Sequence, residues 1–428
     1  MLNELMNRPL TEKQMKAIEK FKYLKVGAVF MKMGTGKTRV ACELVNYNDP
    51  DYLLYITPHS TIENIREEIQ KWVVKCEYDI EGYEGIASGK KKYSFLHDKV
   101  ERLKAEGKKL FIIADESIFI KNGRSKRTIR CKELRKFFDY ALVLNGTPIV
   151  KSEWDLFNQM DFLSEKILQM NSYEFLEKFF VEHIGKKHGR EFHYYTFYEP
   201  NRPALTKMCA PYVFEADLDF EHEETEKCIW VDYSYSKYYD IIRKCTDDYS
   251  RYREDSLISM FTLLQKEAAL ASLKNITVSE YIEGKQIICF CSHIEEVEQI
   301  KDMLEGECYV ITGDTSKASR VRIMEEFKND TKRPLIMTLG VGSYSLNLQF
   351  CNEIVYSSIT FNYGSLEQSR YRIKRTGQSR DIRYTYILSD LGINHMMFRN
   401  IDRKESLSMI IKKLLSENDV SELIERND

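Results

Sequence analysis

The segment Met31-Lys32-Met33-Gly34-Thr35-Gly36-Lys37-Thr38 constrains this chain more than any other stretch. An apolar run, Val26-Gly27-Ala28-Val29-Phe30, precedes it, and Val40, Ala41, Leu44 and Val45 recur on one helical face after it. Strand, glycine-rich turn and helix in that order gather backbone N–H groups and a helix N-terminus around one point, where an anion is favoured. Gly34 and Gly36 admit a phosphate close to the backbone because neither carries a Cβ. Gly34, Thr35, Gly36, Lys37 and Thr38 are therefore candidate nucleotide ligands. Lys37 is expected at the β- and γ-phosphates, and the Thr38 hydroxyl at Mg2+. The plainer alternative is a glycine-rich turn with a chance Lys-Thr pair, because Lys32 and Met33 stand where the first glycine of the full pattern often falls.

Length and composition bound the rest. A chain of 428 residues suggests two or three domains, and 43% apolar with 30% charged residues excludes a disordered chain. The net charge of −2 means that any nucleic-acid partner is held by local basic patches. Ten scattered cysteines include no C-x-x-C pair, so neither a zinc site nor a disulfide scaffold is expected. Reduced thiols suit a cytoplasmic protein, or the bacterial host cytoplasm if the source is viral. The first 16 residues lack an apolar signal core, and no run approaches the ~20 apolar residues that span a membrane.

Apolar runs alternate with helical patterns in two sets. In the first, residues 26–31, 52–56, 110–114 and 141–144 read as strands, with helical patterns such as 61–72 and 128–138 between them. In the second, the strand candidates are 286–291, 308–312, 334–338, 353–357 and 383–388. Alternation of this kind predicts α/β architecture: two tandem parallel-sheet domains, each covered by helices on both faces. Residues 152–283 are aromatic-rich and helical in pattern, and 256–272 reads as a buried or bridging helix. The expected organisation is 1–165, a helical insertion and connector at 166–283, and 284–428. Only the first domain carries a Gly-Lys-Thr loop, which suggests a nucleotide held between the two.

Ligands of such sheets lie at the carboxyl ends of the strands. Ile112-Ile113-Ala114 ends there in Asp115-Glu116. Asp115 suits Mg2+ and Glu116 suits activation of a water; a solvated acidic pair is the alternative. Thr57 and the amides near Ser60 suit a backbone phosphate, or equally a helix N-cap. Gln368, Arg370, Arg372, Lys374 and Arg375 form a basic cluster, in which Gln368, Arg372 and Arg375 share a helical face at i, i+4 and i+7. Such a row can place guanidinium groups on a γ-phosphate, the arginine-finger role. A solvated or DNA-binding helix is the alternative.

Taken in order, these stretches resemble superfamily-two helicases, and among them the Swi/Snf-type DNA-dependent ATPases. Leu10-Thr11-Glu12-Lys13-Gln14 is similar to the Q motif, whose glutamine reads adenine; Met33–Thr38 is similar to motif I, and 56–72 to motif Ia. Asp115-Glu116-Ser117-Ile118 followed by Ile120-Lys121-Asn122 resembles the Asp-Glu box, and 142–163 resembles motif III with its continuation. Residues 287–292, 340–348 and 368–378 are similar to motifs IV, V and VI.

The resemblance implies tandem RecA-like folds, ATP and Mg2+ as cofactors, and DNA, duplex or branched, as partner. It implies catalytic roles for Glu116, Gln368, Arg372 and Arg375, and DNA grips at Thr57, Ser60, Gly146, Thr312, Gly313 and Ser343. Basic patches at 124–130 and 186–190 add electrostatic hold or are solvated loops. Ser117 and Ile118 replace the usual Ala or Cys and the His that couples hydrolysis to motif III, so that link is expected to be missing. Motif V has Ser343-Tyr344 in place of a usual glycine. The resemblance implies no remodeller targeting domains in these residues, similar to compact phage and bacterial forms. The expected activity is ATP-driven movement along DNA, by duplex translocation or by strand separation, in replication, recombination or repair. The chain is expected to act as a monomer that meets replication or recombination proteins. An ATP-switched clamp that binds nucleic acid without moving is the reading from a different class.

Overall fold

The computed structural model describes residues 9–149, 152–187, 190–232, 236–247, 254–273, 277–341, 346, 348–375 and 378–403. The chain divides into two compact units, Met1–Asp219 and Phe220–Asp428.

The first unit contains β1 (Val26–Met31), β2 (Tyr52–Thr57), β3 (Glu77–Gly82), β4 (Leu110–Asp115), β5 (Tyr140–Asn145), β6 (Phe180–Lys187), β7 (Arg190–Phe197) and β8 (Val213–Ala216). Six of them form a parallel sheet in the order β3-β2-β4-β5-β1-β8. Every residue of β2 and β4 is buried. Near-continuous apolar strands are what a parallel sheet covered on both faces requires. Alternation sends Phe30, Leu54, Ile56 and Ile112 into one core and Val29, Leu53, Tyr55 and Ile113 into the other. Each such side chain contributes about 1.5–3 kcal/mol by burial. The strand β5 lies between β1, which leads into the glycine loop, and β4, which ends in Asp115. That insertion of one strand between loop and acid is the RecA-like arrangement.

The second unit contains β9 (Glu224–Val231), β10 (Ile288–Cys291), β11 (Tyr309–Ile311), β12 (Leu335–Thr338), β13 (Glu353–Tyr356) and β14 (Ile382–Ser389). They form a second parallel sheet in the order β11-β12-β10-β13-β14-β9. The helix Glu254–Leu273 buries Phe261, Leu264, Ala268 and Ala271 in this unit's core. Its carboxyl end is pinned by Ser389 Oγ donating to the Ala268 carbonyl (2.9 Å) and Ser272 Oγ donating to the Ser357 carbonyl (3.1 Å). The two tandem parallel-sheet domains expected from the alternation are therefore present.

The stretch 166–283 differs from the helical insertion expected of it. It is shared between the units and holds four strands. β8 completes the first sheet, β9 completes the second, and β6 and β7 pair as a separate antiparallel ribbon. These strands escape sequence reading because edge strands and ribbons expose much of their surface. β9 reads Glu-Thr-Glu-Lys-Cys-Ile-Trp-Val and has only Val231 buried. β3 is another unforeseen edge. Its Glu77 and Asp79 both pair with Lys99, at 2.8 and 2.7 Å, and its Glu81 with Lys92 at 2.5 Å. Charged side chains on an edge strand discourage pairing with another chain.

Candidate functional site

The glycine loop has the backbone its residues predict. Gly34 and Gly36 both sit at φ +83°, in the left-handed region that L side chains rarely adopt. Gly36 caps the helix Lys37–Asn48 in that conformation. Thr35 closes the turn, its hydroxyl donating to the Lys32 carbonyl at 2.7 Å. The first-turn amides of this helix have no intrahelical acceptor, so they supply the donors an anion needs.

Gln14 stands against this loop. Thr11 and Gln14 form a capping box at the start of the helix Glu12–Phe21. The Gln14 Nε2 donates to the Thr35 carbonyl at 2.8 Å, and its Oε1 accepts from the Thr11 amide at 3.1 Å. A Cβ at Gly36 would meet the end of the Gln14 side chain, so the glycine required by φ also leaves room for that amide. In this arrangement Gln14 supports the loop backbone with both ends of its amide.

Asp115 ends β4, nearly enclosed, and three hydrogen-bond donors define its surroundings. Tyr55 Oη donates to its Oδ2 at 3.1 Å, the Glu116 amide donates to its Oδ1 at 2.9 Å, and Tyr83 Oη donates to its carbonyl at 2.8 Å. The Thr38 hydroxyl stands near enough to the Tyr55 phenol to oppose, weakly, the rise of its pKa. The phenol thus stands beside the two residues read from sequence as metal ligands. Burial, and then the adjacent Glu116 charge, push the Asp115 carboxyl well above its usual range, to about 7, against the opposing pull of Lys37. A divalent cation would offset that cost. A carboxylate and a hydroxyl are hard oxygen donors of the kind Mg2+ prefers. Buried Asn145 adds a polar group at the end of β5, its Nδ2 having no hydrogen-bond partner among the described residues. An anionic oxygen would satisfy such a donor.

Glu116 has a left-handed backbone, φ +49°, and caps a short 3₁₀ turn over Ser117–Ile120. A non-glycine residue held there costs of order 1 kcal/mol or more, a strain that gathers at functional sites. The next residue supplies a different contact. The resemblance put the usual link between this turn and motif III in doubt, because the histidine that makes it is absent. In the structure Ser117 Oγ donates to Gln159 Oε1 at 2.6 Å, and Gln159 Nε2 donates to the Pro148 carbonyl at 2.7 Å. Both side chains are fully buried. The helix Trp154–Leu163 therefore bridges the acidic turn and the segment after β5 with a different pair of residues.

The remaining first-unit candidates separate. Gly146 lies beside the glycine loop; a Cβ there would stand 3.4 Å from Met33 Cγ and 3.7 Å from Lys37 Nζ. Thr57 is wholly buried and its Oγ1 is hydrogen-bonded to Thr61 Oγ1 at 2.6 Å, so its side chain is no surface grip, contrary to the sequence reading. Ser60 in the following turn is exposed.

In the second unit Thr312 and Gly313 follow β11, and their carbonyls accept from Arg320 at 3.1 Å each. Gly313 is exposed. Ser343 lies outside the described residues, as do Tyr344, Asn347, Thr376 and Gly377. The basic cluster is not one helical row. The helix Tyr363–Arg370 carries Gln368 and stops at Arg370, so Arg372 and Arg375 lie in the turns that follow. Arg370 pairs with Glu226 of β9 at 2.8 Å, reaches the Tyr386 hydroxyl and lies over the Tyr384 ring at 4.9 Å. Lys374 pairs with Glu224. These two fasten the edge strand β9 to its neighbours. Arg372 is nearly enclosed, and Arg375 Nε donates to the Tyr371 carbonyl at 2.8 Å.

Sequence reading missed Tyr55, Tyr83, Asn145 and Gln159. The one available signal was a tyrosine inside the apolar run of β2, whose buried hydroxyl must find a partner.

The chain matches the SNF2-related domain over residues 26–216 and the helicase conserved C-terminal domain over residues 268–377. It is 24% identical over 426 residues to an "Uncharacterized ATP-dependent helicase" of Mycoplasma pneumoniae, covering 89% of this chain and 40% of that protein. It is 22% identical over 310 residues to the "SWI/SNF-related matrix-associated actin-dependent regulator of chromatin subfamily A-like protein 1 homolog" of Caenorhabditis elegans, covering 68% of this chain and 44% of the relative. To the human "DNA annealing helicase and endonuclease ZRANB3" it is 20% identical over 428 residues, covering 88% and 38%. The chain thus spans about two fifths of the length of these curated relatives. Among solved structures, the Sulfolobus solfataricus SWI2/SNF2 ATPase core in complex with dsDNA is similar at 18% identity and a TM-score of 0.42, with 98% of each chain covered. The two domains, matched in this order with the loop and the acid strand in place, make the chain a member of the Snf2-type superfamily-two helicases.

Proposed function

We propose that this chain is a DNA-dependent ATPase that uses ATP and Mg2+ to move along or remodel duplex or branched DNA. The observation that carries the reading is the convergence of Thr38, Tyr55 and Asp115 beside a loop with two left-handed glycines. Phosphate groups would be held by the loop amides and Lys37, and Mg2+ by Thr38 and Asp115. Bound there, the cation would neutralise charge developing between the β- and γ-oxygens. Glu116 orients and deprotonates the attacking water. Arg372 and Arg375 stabilise negative charge on the transferring phosphoryl group, with Gln368 beside them in the sequence.

Movement requires that the nucleotide state reach the DNA grip. Ser117, Gln159 and Pro148 form a buried hydrogen-bonded path from the acidic turn to the segment after β5, which supports that role for them. Ser60, Gly146, Thr312, Gly313 and Ser343 are the proposed backbone contacts, sequence-independent and salt-sensitive. The same reading makes the chain a monomeric motor of replication, recombination or repair. No helix among the described residues is long and apolar enough to cross a membrane.

The test is the ATPase rate at one salt concentration with no nucleic acid and with single-stranded, duplex, forked and RNA substrates. Stimulation by duplex or forked DNA is expected, together with displacement of a triplex strand without unwinding of the duplex. ATP-dependent DNA binding without triplex displacement would replace the motor by an ATP-switched clamp. Unwinding of duplex ahead of the chain would make it a strand-separating helicase. Normal turnover by Lys37→Ala would end the ATPase reading at this loop.

A further inference from the structure

Glu296 in the second unit is a fully buried acid that the nucleotide chemistry above does not use. It is the third residue of the helix Ile294–Met303, which follows β10. Its Oε1 accepts from the Ser292 amide at 3.0 Å, from the His293 amide at 2.8 Å and from Ser358 Oγ at 2.9 Å. Ser357 Oγ donates to its Oε2 at 2.8 Å. Ser358 Oγ in turn accepts from the Ser292 amide at 2.8 Å. Burial raises the carboxyl above its usual range, and all four donors pull it back. A helix cap accounts for the amides, because a glutamate at this position reaches back to the residue before the helix. It does not account for two serine hydroxyls that arrive from the end of another strand.

The cluster has a particular place in the sheet. In the order β11-β12-β10-β13-β14-β9, the chain leaves β10 toward β11 on one side and leaves β13 toward β14 on the other. The carboxyl ends of β10 and β13 therefore flank the switch point, where an open α/β sheet forms the crevice for its ligand. Here two amides and two hydroxyls meet at that point, and the oxyanion they hold is the chain's own. Ser357 and Ser358 follow β13 and lead toward the helix Tyr363–Arg370. Tyr356, the last residue of β13, is hydrogen-bonded through its Oη to Ser369 Oγ on that helix at 2.7 Å, and both side chains are fully buried. The Ser369 carbonyl accepts from the Arg372 amide at 3.1 Å. Contacts thus run from Glu296 through the end of β13 to Arg372.

We propose that Glu296 is a positioning residue for the ATPase reaction: its carboxylate fills an internal oxyanion cradle that fixes the end of β13 and, through Tyr356 and Ser369, the backbone that carries Arg372. An arginine stabilises a transferring phosphoryl group only when it is accurately placed, and a misplacement of about 1 Å costs about 10²-fold in rate. The cradle is built to hold such a placement. Its donors come from two neighbouring strand ends, and one buried carboxylate joins them. The proposal rests on the arginine role proposed above for its readout in turnover; the cradle itself rests on the hydrogen bonds alone.

The test uses the full chain, duplex-stimulated ATPase expressed per folded molecule, and thermal melts read in parallel. Glu296→Ala is expected to lower kcat about 10²-fold with KM for ATP unchanged, the signature of lost placement and not of lost binding. Acetate matches the part of the glutamate that alanine lacks. Sodium acetate is therefore expected to raise both the kcat and the melting temperature of this variant, where sodium chloride at equal ionic strength does not. Glu296→Gln keeps an acceptor for the two amides and a group that can donate to Ser357 Oγ, and is expected to retain most of the turnover. Glu295→Ala, at the exposed neighbour that pairs with Lys266 at 2.6 Å, is the control and should keep its kcat. If Glu296→Ala does not fold, Ser357→Ala with Ser358→Ala removes the link to β13 and leaves the helix cap; it is expected to lower kcat with KM unchanged. Wild-type kcat in folded Glu296→Ala or in the double serine variant would overturn the proposal. A melting temperature restored by acetate without any gain in kcat would also overturn it, and would reduce Glu296 to a structural role. No stimulation of the wild type by any DNA would instead overturn the ATPase reading, because the acetate-dependent melt still measures the cradle.

Discussion

The two units use the same parallel sheet and treat their charged residues in opposite ways. In the first, the carboxyl ends of β1 and β4 bring together two left-handed glycines, Lys37, and Asp115 enclosed with a phenol on its carboxylate. In the second, the most prominent basic residues are part of the fold. Arg370 and Lys374 pair with Glu226 and Glu224 and so hold β9 to the sheet. A run of basic residues is therefore not one functional unit. Arg370 and Lys374 hold the edge strand, and the proposed nucleotide role falls on Gln368, Arg372 and Arg375.

The sharpest way to break this contrast is to remove one cation from each class. Lys37→Ala is expected to lower phosphate release by roughly 10²–10³-fold while leaving the melting temperature unchanged, the scale of losing one charge-stabilising donor. Arg375→Ala should do the same to a smaller extent. Arg370→Ala should show the reverse: a stability loss of about 2 kcal/mol in urea unfolding, with turnover per folded molecule retained. Breaking a buried ion pair costs more than this, but Glu226 is partly exposed and solvent screens it. If Arg370→Ala lost turnover without losing stability, the division of the cluster would be wrong.

Gln159 tests the link within the first unit. Gln159→Leu leaves the Ser117 hydroxyl buried without its acceptor, at a cost of about 1–3 kcal/mol. The double change Ser117→Ala with Gln159→Leu should recover most of that stability. Its DNA-stimulated turnover should stay low while DNA-free turnover is kept. Full stimulation in the double variant would reduce the pair to packing.

A further expected effect is electrostatic. In the folded chain Asp115 keeps its proton to about pH 7, whereas an unfolded aspartate releases it near pH 4. Between those values the folded state binds the extra proton, so stability in EDTA should fall as pH rises from about 4 to 7. Asp115→Asn should flatten that part of the profile, and Mg2+ should restore stability at pH 7.5. Thermal melts at pH 5.5 and 7.5, with and without the cation, measure it.

Much of this was legible in the residues. The interior strands β1, β2, β4 and β5 carry unbroken apolar runs, because both faces of a parallel sheet are covered. The loop was legible because Gly34 and Gly36 occupy backbone conformations that other residues avoid. The edges β3, β8 and β9 were not, because a half-exposed strand tolerates polar residues and loses its period. The arginine row was misread as continuous because the i, i+4, i+7 spacing assumes a helix that stops at Arg370. Thr57 was misread because its type suits a phosphate, while its burial depends on Thr61.

The sequence alone determined the chemistry of the loop, the pairing of Asp115 with Glu116, and the parallel sheets that aim both at one end of β1 and β4. Those features follow from local backbone preference and apolar periodicity, which neighbours in the chain define. Only the tertiary structure decided that Gln14 braces the loop, that Tyr55 holds the Asp115 carboxylate, and that Gln159 joins Ser117 to Pro148. It also decided that Glu224 and Glu226 claim two of the basic residues. Each of these is a side-chain contact to a residue in another element, set by strand order and helix docking.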